Sequence, residues 1–375
     1  MAEKTGASHI RELDGIRGLA ILLVLIHHLL ILPEGPTISK GLNFIGSLGW
    51  MGVDLFFVLS GFLISRILIA GREQPHYFRN FYVRRALRIF PVYYAYLAIY
   101  YFVVIKFGIL NLDASRRDEA SLALPWLLFY GTNILIAIKG TFIVATLNHF
   151  WTLAVEEHFY LVWPWIVRKT KGENLLWACV GLVFFAVGLR STLLMNNVSG
   201  FTIHTLSLCR MDDFAIGAMG AILLGSGKIK ALEKYLSIMF YSLLALLIAG
   251  FLILRTGEAG NPWVQSVGYS IIGLFFLTLI LKVISAPSSS SLRRFFGSSW
   301  MCQLGKYSYA IYILQVPILV AIKRSFPTSN IGKLIEEPMM MAVAVSSLCL
   351  VLSIAGAVIS YHCFEKWFLR LKTLF

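Results

Sequence analysis

The chain has 375 residues, of which 58% are apolar and only 14% are charged. Soluble domains carry about 25% charged residues. The composition therefore excludes a soluble protein of this length, and it also excludes a disordered chain, a collagen and a coiled coil. Together with the mean hydropathy of +0.76, it indicates an all-α polytopic membrane protein.

The net charge of +14 at pH 7 has two candidate sources. In membrane proteins an excess of Lys and Arg collects in cytoplasmic loops and sets the orientation. We favour this interpretation over a patch that binds nucleic acid. The five cysteines form no CxxC pair, so neither a disulfide framework nor a metal site is expected.

Ten segments have the length and apolarity of membrane-spanning helices, which need about 20 mostly apolar residues. They are 17–33, 50–71, 89–108, 149–167, 175–194, 205–225, 235–254, 264–284, 303–322 and 339–362. The apolar stretch at 124–138 is shorter and contains Gly131 and Asn133. We interpret it as a re-entrant segment, which other helices would have to shield from lipid.

The distribution of Lys and Arg over the loops supports this arrangement. With ten spans and a re-entrant segment, one side of the membrane holds roughly twice as many of these residues as the other. Both termini are then predicted to be cytoplasmic, whereas an eleventh span would remove the bias. We expect a single membrane domain over residues 1–375, without a soluble appended domain.

The first predicted helix carries ionisable residues, which are costly in a bilayer and mark candidate functional sites. At about 100° per residue, the eleven residues from Arg17 to His28 complete three turns to within about 20°. The two side chains therefore share a face, about 16 Å apart along the axis, and Asp14 lies just before them. His27 points to another face. Histidine suits proton transfer near neutral pH, so His28 is a candidate base.

The second predicted helix contains Asp54 and Ser60 in the sequence GVDLFFVLSGFLI. Asp54 is predicted either to orient or charge-balance His28 or an arginine, or to make an interhelical hydrogen bond. For the Ser60–Gly61 pair we favour close helix packing over a nucleophilic serine. The chain has no GxSxG sequence that would support a serine nucleophile.

Three arginines follow in FYVRRALRIFP, and Arg85 and Arg88 share a face because they are three residues apart. Together with Arg84 at what looks like a helix entrance, they would make a good phosphate clamp. The alternative is a topology signal or contact with anionic lipid. From the arginines alone, the alternative is favoured.

Two later segments also place charges at membrane depth. In HFWTLAVEEHFYLVWPW, His149 and Glu156 share a face because they are seven residues apart. An acidic pair within a membrane helix indicates function, although a role in capping the helix is also possible. In CRMDDFAIG, Arg210, Asp212 and Asp213 are predicted mainly to pair with one another.

These segments together resemble the bacterial membrane acyltransferase-3 family, whose members O-acylate surface carbohydrates. The resemblance rests on RELDGIRGLAILLVLIHH, GVDLFFVLSGFLI, FYVRRALRIFP, HFWTLAVEEHFYLVWP, LGKYSYAIYILQVP and FEKWFLRLK, which cover nearly the whole chain in order. The family's arginine–ten residues–histidine motif falls on Arg17 and His28. Its paired arginines fall on Arg85 and Arg88, and the glutamate of its tryptophan-containing motif falls on Glu156.

The resemblance implies a membrane O-acyltransferase with acyl-CoA as co-substrate and no permanently bound cofactor. The acyl group is expected to be acetyl, and the acceptor a cell-surface or lipid-linked carbohydrate. The arginine cluster would bind the donor, and His28 would be the general base, fixed by Asp14 and Arg17, or less favourably an acylated intermediate. Glu156 would orient the acceptor or His28, and Trp151 and Trp163 would face the carbohydrate.

The resemblance also predicts ten helices, both termini inside and a location in the bacterial inner membrane. One position departs from the family, because Gln315 stands where a histidine is common, and no titrating group is expected there. Two rival functions are a carrier or flippase for a lipid-linked sugar and a non-enzymatic membrane sensor or scaffold. Internal symmetry between the halves would favour the carrier, and none is found in the sequence.

Overall fold

The computed structural model describes residues 9–30, 32–33, 37–106, 114–325 and 338–375. Throughout these ranges the regular structure is helical. The helices are α1 (Arg11–Leu29), α2 (Thr37–Ser47), α3 (Met51–Ala70), α4 (Tyr77–Ile99), α5 (Ala114–Leu128), α6 (Thr132–Lys139), α7 (Trp151–Lys169), α8 (Gly172–Met195), α9 (Gly200–Thr205), α10 (Met211–Gly225), α11 (Ile229–Leu254), α12 (Tyr269–Ser285), α13 (Ser291–Phe296), α14 (Ser299–Ser325), α15 (Pro338–Ser360) and α16 (Lys366–Leu371).

Short π-helical stretches adjoin three of these helices. Tyr100–Lys106 continues α4, Val264–Gly268 precedes α12, and Tyr361–Glu365 joins α15 to α16. Such stretches are frequent at functional sites, and Tyr361 and Glu365 of the third line a basic cavity described below.

Each of the ten segments predicted to cross the membrane falls on a helix. Among the residues that the structure describes, seven stretches are long and apolar enough to be candidate spans: Ser39–Ala70, Tyr77–Val103, Gly172–Met195, Ile229–Leu254, Val264–Ser285, Ser299–Arg324 and Met339–Leu374. The other three predictions correspond to α1, α7 and α10, which are short or carry charged residues. The count of ten crossings therefore stays a prediction.

Several helix boundaries differ from the predictions. The first helix begins at Arg11 instead of 17, so Asp14 is inside it, the third begins at Tyr77 instead of 89, and the seventh begins at Ile229 instead of 235. Polar residues extend these three helices beyond their apolar parts, which a hydropathy window does not detect. The sixth begins later than predicted, at Met211 instead of 205. Residues 31, 107 and 108, at the predicted ends of the first and third spans, lie outside the described residues.

The stretch predicted to be re-entrant forms part of two short helices, α5 and α6, with a turn between Leu128 and Thr132. Tyr130 adopts a positive φ of 53° in this turn. Asn133 is fully buried, and its amide donates to Ser207 Oγ at 2.8 Å. The depth of this hairpin in the bilayer stays a prediction.

Glycines allow α1 to pack directly against its neighbours. A Cβ atom on Gly305 of α14 would lie 1.8 Å from the carbonyl oxygen of Asp14. The backbones of α1 and α14 therefore touch, as is common where small residues line the interface of membrane helices. The contact fixes the height of Asp14, and with it Arg17, relative to α14.

Two loops meet at one end of the bundle. The Arg72 guanidinium donates to the carbonyl oxygen of Thr170 at 2.9 Å, and the Lys171 ammonium lies 3.1 Å from Glu73. The loops after α3 and α7 therefore lie on the same side of the molecule, as the charge distribution predicts. Which face of the bilayer this is stays a prediction.

Candidate active site

Three cavities lie end to end among α1, α3, α4, α7 and α14. The vestibule has a volume of about 640 Å³ and is bounded by Arg17, Arg88, Lys306 and Lys372, among others. The passage holds only about 90 Å³ and is lined by Ser60, Glu156, Tyr160 and Tyr309. The chamber has about 840 Å³ and is lined by His28, His149, Trp151 and His204.

Side chains shared between neighbouring cavities show that the three are contiguous. Arg17, Arg85 and Arg88 line both the vestibule and the passage. Thr152 and Tyr312 line both the passage and the chamber. A thin molecule in the vestibule would therefore need to cross only one narrow segment to reach the chamber.

The vestibule is strongly basic. Seven cationic side chains line it, against the two carboxylates of Asp14 and Glu365. The cations are Arg11, Arg17, Arg66, Arg85, Arg88, Lys306 and Lys372. Asp14 Oδ1 accepts from the Arg17 guanidinium at 3.2 Å, so the two residues predicted to act together are in contact. The surplus of positive charge makes the vestibule suited to an anion with several charges.

The arginine cluster divides into two groups. Arg85 and Arg88 both line the vestibule, as their common face predicts. Arg84 is exposed and is not among the lining residues. Because α4 begins at Tyr77, the arginines lie about two to three turns into the helix and not at a helix entrance. Arg84 therefore points about 100° away from Arg85.

Glu156 is the centre of the passage. Its Oε1 accepts hydrogen bonds from both Ser60 and Tyr160. The predicted partner His28 lines the chamber, whereas Glu156 lines the passage. Because Ser60 donates to Glu156, it has a polar role in the passage and is not only a small residue at a packed interface. The packing contribution comes from Gly61, where a Cβ atom would lie 2.1 Å from the carbonyl oxygen of Phe214.

The hydrogen bonds of His28 define its tautomer. Nδ1 lies 3.0 Å from the carbonyl oxygen of Val24. A carbonyl can only accept, so Nδ1 carries the proton, and in the neutral imidazole the lone pair is on Nε2. His27 also lines the chamber, with its Nδ1 3.3 Å from the carbonyl oxygen of Gly46. Helical phase predicts that His27 points to another face than His28 and so away from the site. This prediction is wrong, because the chamber is wide enough for both side chains to line it.

Trp151 and His204 form a wall of the chamber, with ring centroids 4.8 Å apart. His204 Nδ1 donates to the Tyr269 hydroxyl at 2.7 Å, and this hydroxyl donates onward to the carbonyl oxygen of Ala259 at 2.9 Å. Trp163 is instead fully buried and donates to Ser65 Oγ at 2.7 Å. The expectation that Trp163 faces a carbohydrate is wrong, because its indole belongs to the core.

A separate group of charges is buried away from the three cavities. Arg210 pairs with Asp54 and with Asp213, the latter at 2.9 Å. Arg190 pairs with Asp212 at 2.8 Å. Asp54 is thus the partner of an arginine and not of His28. All five side chains are at most 1% exposed.

Arg190 is a residue that sequence reasoning misplaced. The distribution of Lys and Arg over the loops, described above, counts Arg190 as a loop charge because it lies near the end of the predicted span 175–194, but its side chain is fully buried. Sequence reasoning also missed Lys306, Tyr309 and Tyr312 of α14, which line the cavities. Their spacing of three residues along LGKYSYAIYILQVP is a polar and aromatic stripe at helical period, so a signal was present.

A family model described as an acyltransferase domain matches residues 10–362. The chain is 28% identical over 380 residues to the putative peptidoglycan O-acetyltransferase YrhL of Bacillus subtilis, covering 96% of this chain and 54% of that protein. It is 25% identical over 340 residues to the O-acetyltransferase OatA of Staphylococcus aureus, covering 86% of this chain and 53% of that protein.

The chain thus spans about half the length of the curated relatives that it matches. No solved structure matches it. The family model covers α1 to α15 and the beginning of the π-helical stretch after it, and with them all the lining of the passage and the chamber. Of the vestibule lining, His9, Glu365, Leu369 and Lys372 lie beyond the match. The chain belongs to the acyltransferase-3 family.

Proposed function

We propose that the chain is a membrane O-acetyltransferase, which transfers an acetyl group from cytoplasmic acetyl-CoA to a hydroxyl of a cell-envelope carbohydrate. The main support is the line of three cavities, which runs from a basic vestibule to a chamber lined by histidines. The names of the relatives, an O-acetyltransferase and a putative peptidoglycan O-acetyltransferase, favour acetyl as the group and a wall polymer as the acceptor.

The vestibule is the proposed site for the nucleotide end of the donor. CoA carries several phosphate charges, and guanidinium groups bind phosphate through paired, charge-assisted hydrogen bonds. Arg85 and Arg88 line the cavity from α4, Arg17 from α1, and Lys306 and Lys372 from the far wall. Because acyl-CoA is cytoplasmic, this proposal puts the vestibule and both termini on the cytoplasmic side of the inner membrane.

The passage is the proposed path of the pantetheine arm. Its volume of about 90 Å³ suits a thin chain and not a sugar ring. In this proposal Glu156, held by Ser60 and Tyr160, contacts the amide groups of the arm, so it orients the donor rather than His28. The narrow passage also disfavours a carrier for lipid-linked sugars, which would have to move a much larger group through it.

The chemistry follows from the Nε2 lone pair of neutral His28. This atom accepts the proton of the acceptor hydroxyl while the hydroxyl oxygen attacks the thioester carbonyl carbon. The tetrahedral intermediate breaks its C–S bond, and the sulfur leaves as the thiolate of CoA. The imidazolium of His28 then returns the proton to that sulfur. The products are an O-acetyl ester and CoA with a free thiol, so protons and acyl groups balance.

Turnover of radiolabelled acetyl-CoA by the purified chain, with cell-wall fragments as acceptor, tests this function. A general base contributes about 10²–10⁴-fold, so His28→Ala should lose activity by that factor. His27 lines the same chamber, so His27→Ala is the matched control, and we expect it to lose less activity. Equal losses in both variants at equal expression would contradict the role of His28, and absence of turnover in the unmodified chain would contradict the transferase itself.

A further inference from the structure

The junction between the passage and the chamber has a polar wall that the reaction described above does not use. Of the residues that the structure describes, Val53, Thr152 and Tyr312 line both cavities. Thr152 and Tyr312 each bring a hydroxyl, which can donate a hydrogen bond. With the pantetheine arm in the passage and His28 acting from the chamber, the thioester carbonyl of the donor lies at this junction.

The two hydroxyls share one backbone carbonyl. The Tyr312 hydroxyl is 2.9 Å and Thr152 Oγ1 is 3.1 Å from the carbonyl oxygen of His149. The two hydroxyl oxygens are 2.7 Å from each other. Two protons thus serve three contacts, and the carbonyl has two alternative donors. Thr152 can keep this carbonyl hydrogen-bonded while Tyr312 turns its proton toward a ligand.

The other hydroxyls of the passage have no such alternative. They belong to Ser60, Tyr160, Ser308 and Tyr309. The first two donate to the carboxylate of Glu156, an anion that accepts more strongly than a neutral carbonyl. The last two each donate to a backbone carbonyl at 2.9 Å, to which no other hydroxyl among the described residues donates. The cluster at the junction is therefore the best placed to release a proton donor to a substrate.

The ring of Tyr312 is held in place, as a preorganised donor must be. Its centroid is 5.4 Å from that of His149 and 6.5 Å from that of Phe56. Tyr312 belongs to α14, whose backbone touches that of α1 at Gly305, and α1 carries His28. The base and the hydroxyl thus come from two helices in direct contact.

We propose that the Tyr312 hydroxyl stabilises the oxyanion of the tetrahedral intermediate. This inference rests on the proposed function and adds a catalytic residue to it. When the acceptor oxygen attacks, the π electrons of the thioester carbonyl move onto its oxygen. The Tyr312 O–H turns from the carbonyl of His149 to this oxyanion, and Thr152 donates to the carbonyl instead. The exchange is favourable because hydrogen bonds to an anion are about twice as strong as those to a neutral acceptor.

Tyr312 keeps its proton throughout this step. The electron pair on the oxyanion re-forms the C=O bond as the C–S bond breaks, and the Tyr312 O–H then returns to the carbonyl of His149. The transfer of the acceptor's proton by His28 to the leaving sulfur is unchanged, so the balance of the reaction is the same.

Steady-state turnover of radiolabelled acetyl-CoA by the full chain, with cell-wall fragments as acceptor, tests the proposal. Loss of one oxyanion donor lowers kcat by about 10²–10³-fold, and Tyr312→Phe should show this loss. Its KM for acetyl-CoA should change little, because the hydrogen bond strengthens only in the transition state. An unchanged kcat, or an effect on KM alone, would overturn the proposal.

The matched control is Tyr307→Phe, the same substitution on the same helix. The Tyr307 hydroxyl lies 3.3 Å from His362 Nε2, and its side chain lines none of the three cavities. This variant should keep the kcat of the unmodified chain. A loss equal to that of Tyr312→Phe would mean that any hydroxyl of α14 has this effect, and it would contradict the assignment.

Thr152 gives a second test, which decides the matter if Tyr312→Phe does not fold. Thr152→Val leaves Tyr312 as the one hydroxyl donor to the carbonyl of His149, so kcat should fall about tenfold. Thr152→Ser keeps a hydroxyl and should recover most of this loss. A purely structural role would instead lower Tm in proportion to activity in both variants. Equal kcat values in the two variants would overturn the exchange of donors.

The unmodified chain separates the two proposals. Turnover by the unmodified chain together with full kcat in Tyr312→Phe would refute the oxyanion role alone. Absence of turnover in the unmodified chain would refute the transferase, and the role of Tyr312 with it.

Discussion

Two groups of arginines lie inside the helix bundle, and they differ in how completely carboxylates match them. Arg190 and Arg210 are fully buried and paired with three aspartates. The vestibule holds seven cations and only two carboxylates, around a cavity of about 640 Å³. The same side-chain type therefore has two roles: a guanidinium paired with buried carboxylates is already satisfied, whereas Arg85 and Arg88 line a cavity that an anion can enter.

The same difference predicts the effect of substituting an arginine in each group. Removing one member of a buried ion pair leaves the other charge uncompensated in a medium of low dielectric constant. The vestibule cations outnumber its carboxylates, so removing one of them also reduces the repulsion among like charges. Loss of a buried, paired arginine should therefore destabilise the fold more than loss of a vestibule arginine, whose main effect should be on ligand binding.

The largest effect on stability is expected from Arg210→Ala. It would leave Asp54 and Asp213 buried without their cation, which costs about 3–5 kcal/mol for a broken buried pair. Thermal unfolding in detergent, followed by size-exclusion chromatography, should show a large fall in Tm or a loss of folded protein. Arg84→Ala, at an exposed position, is the control and should keep the unmodified Tm. A stable Arg210→Ala variant would break the comparison.

The next effect concerns binding of CoA by the vestibule. Arg85→Ala should weaken CoA by about 1.5–3 kcal/mol, roughly ten- to a hundredfold, through the loss of a charge-assisted contact. Arg84→Ala should bind CoA nearly as well as the unmodified chain, because Arg84 is outside the lining. Isothermal titration calorimetry of both variants measures the difference. Equal CoA affinities would leave these arginines as topology signals.

The smallest effect is expected from Lys171→Ala, outside the membrane. Lys171 and Glu73 form an ion pair at 3.1 Å, but the two side chains are 67% and 74% exposed. Solvent and salt screen such pairs, so neither Tm nor CoA affinity should change measurably. A clear fall in Tm would mean that the contact between the loops after α3 and α7 stabilises the bundle more than its exposure suggests.

Sequence periodicity predicted the helices well because a membrane span must satisfy its own backbone hydrogen bonds. It failed where polar residues extend a helix, as at the beginning of α1 and α4. The pattern could place Asp14 and Arg17 together because they are one turn apart. It could also place Arg85 with Arg88, for the same reason.

Ion pairs between distant helices could not be predicted from the sequence. Asp54 and Arg210 are 156 residues apart, and their contact depends on how α3 packs against α10. Arg190 was misplaced because nothing in its local sequence distinguishes a buried charge from a loop charge. Likewise, His27 and His28 are about 100° apart around α1, but the chamber is wide enough for both side chains to line it.

The central claim is that the acyl end of a donor held in the vestibule reaches His28. Chloroacetyl-CoA tests it directly, because a thiolate within reach displaces its chloride and keeps the adduct. We would use His28→Cys with Cys302 and Cys363 replaced by serine, since the other three native cysteines are buried. Mass spectrometry of the intact protein should show one CoA adduct, which excess acetyl-CoA suppresses and Arg85→Ala slows. Absence of the adduct, or an adduct that excess acetyl-CoA does not suppress, would contradict the path from the vestibule to the chamber.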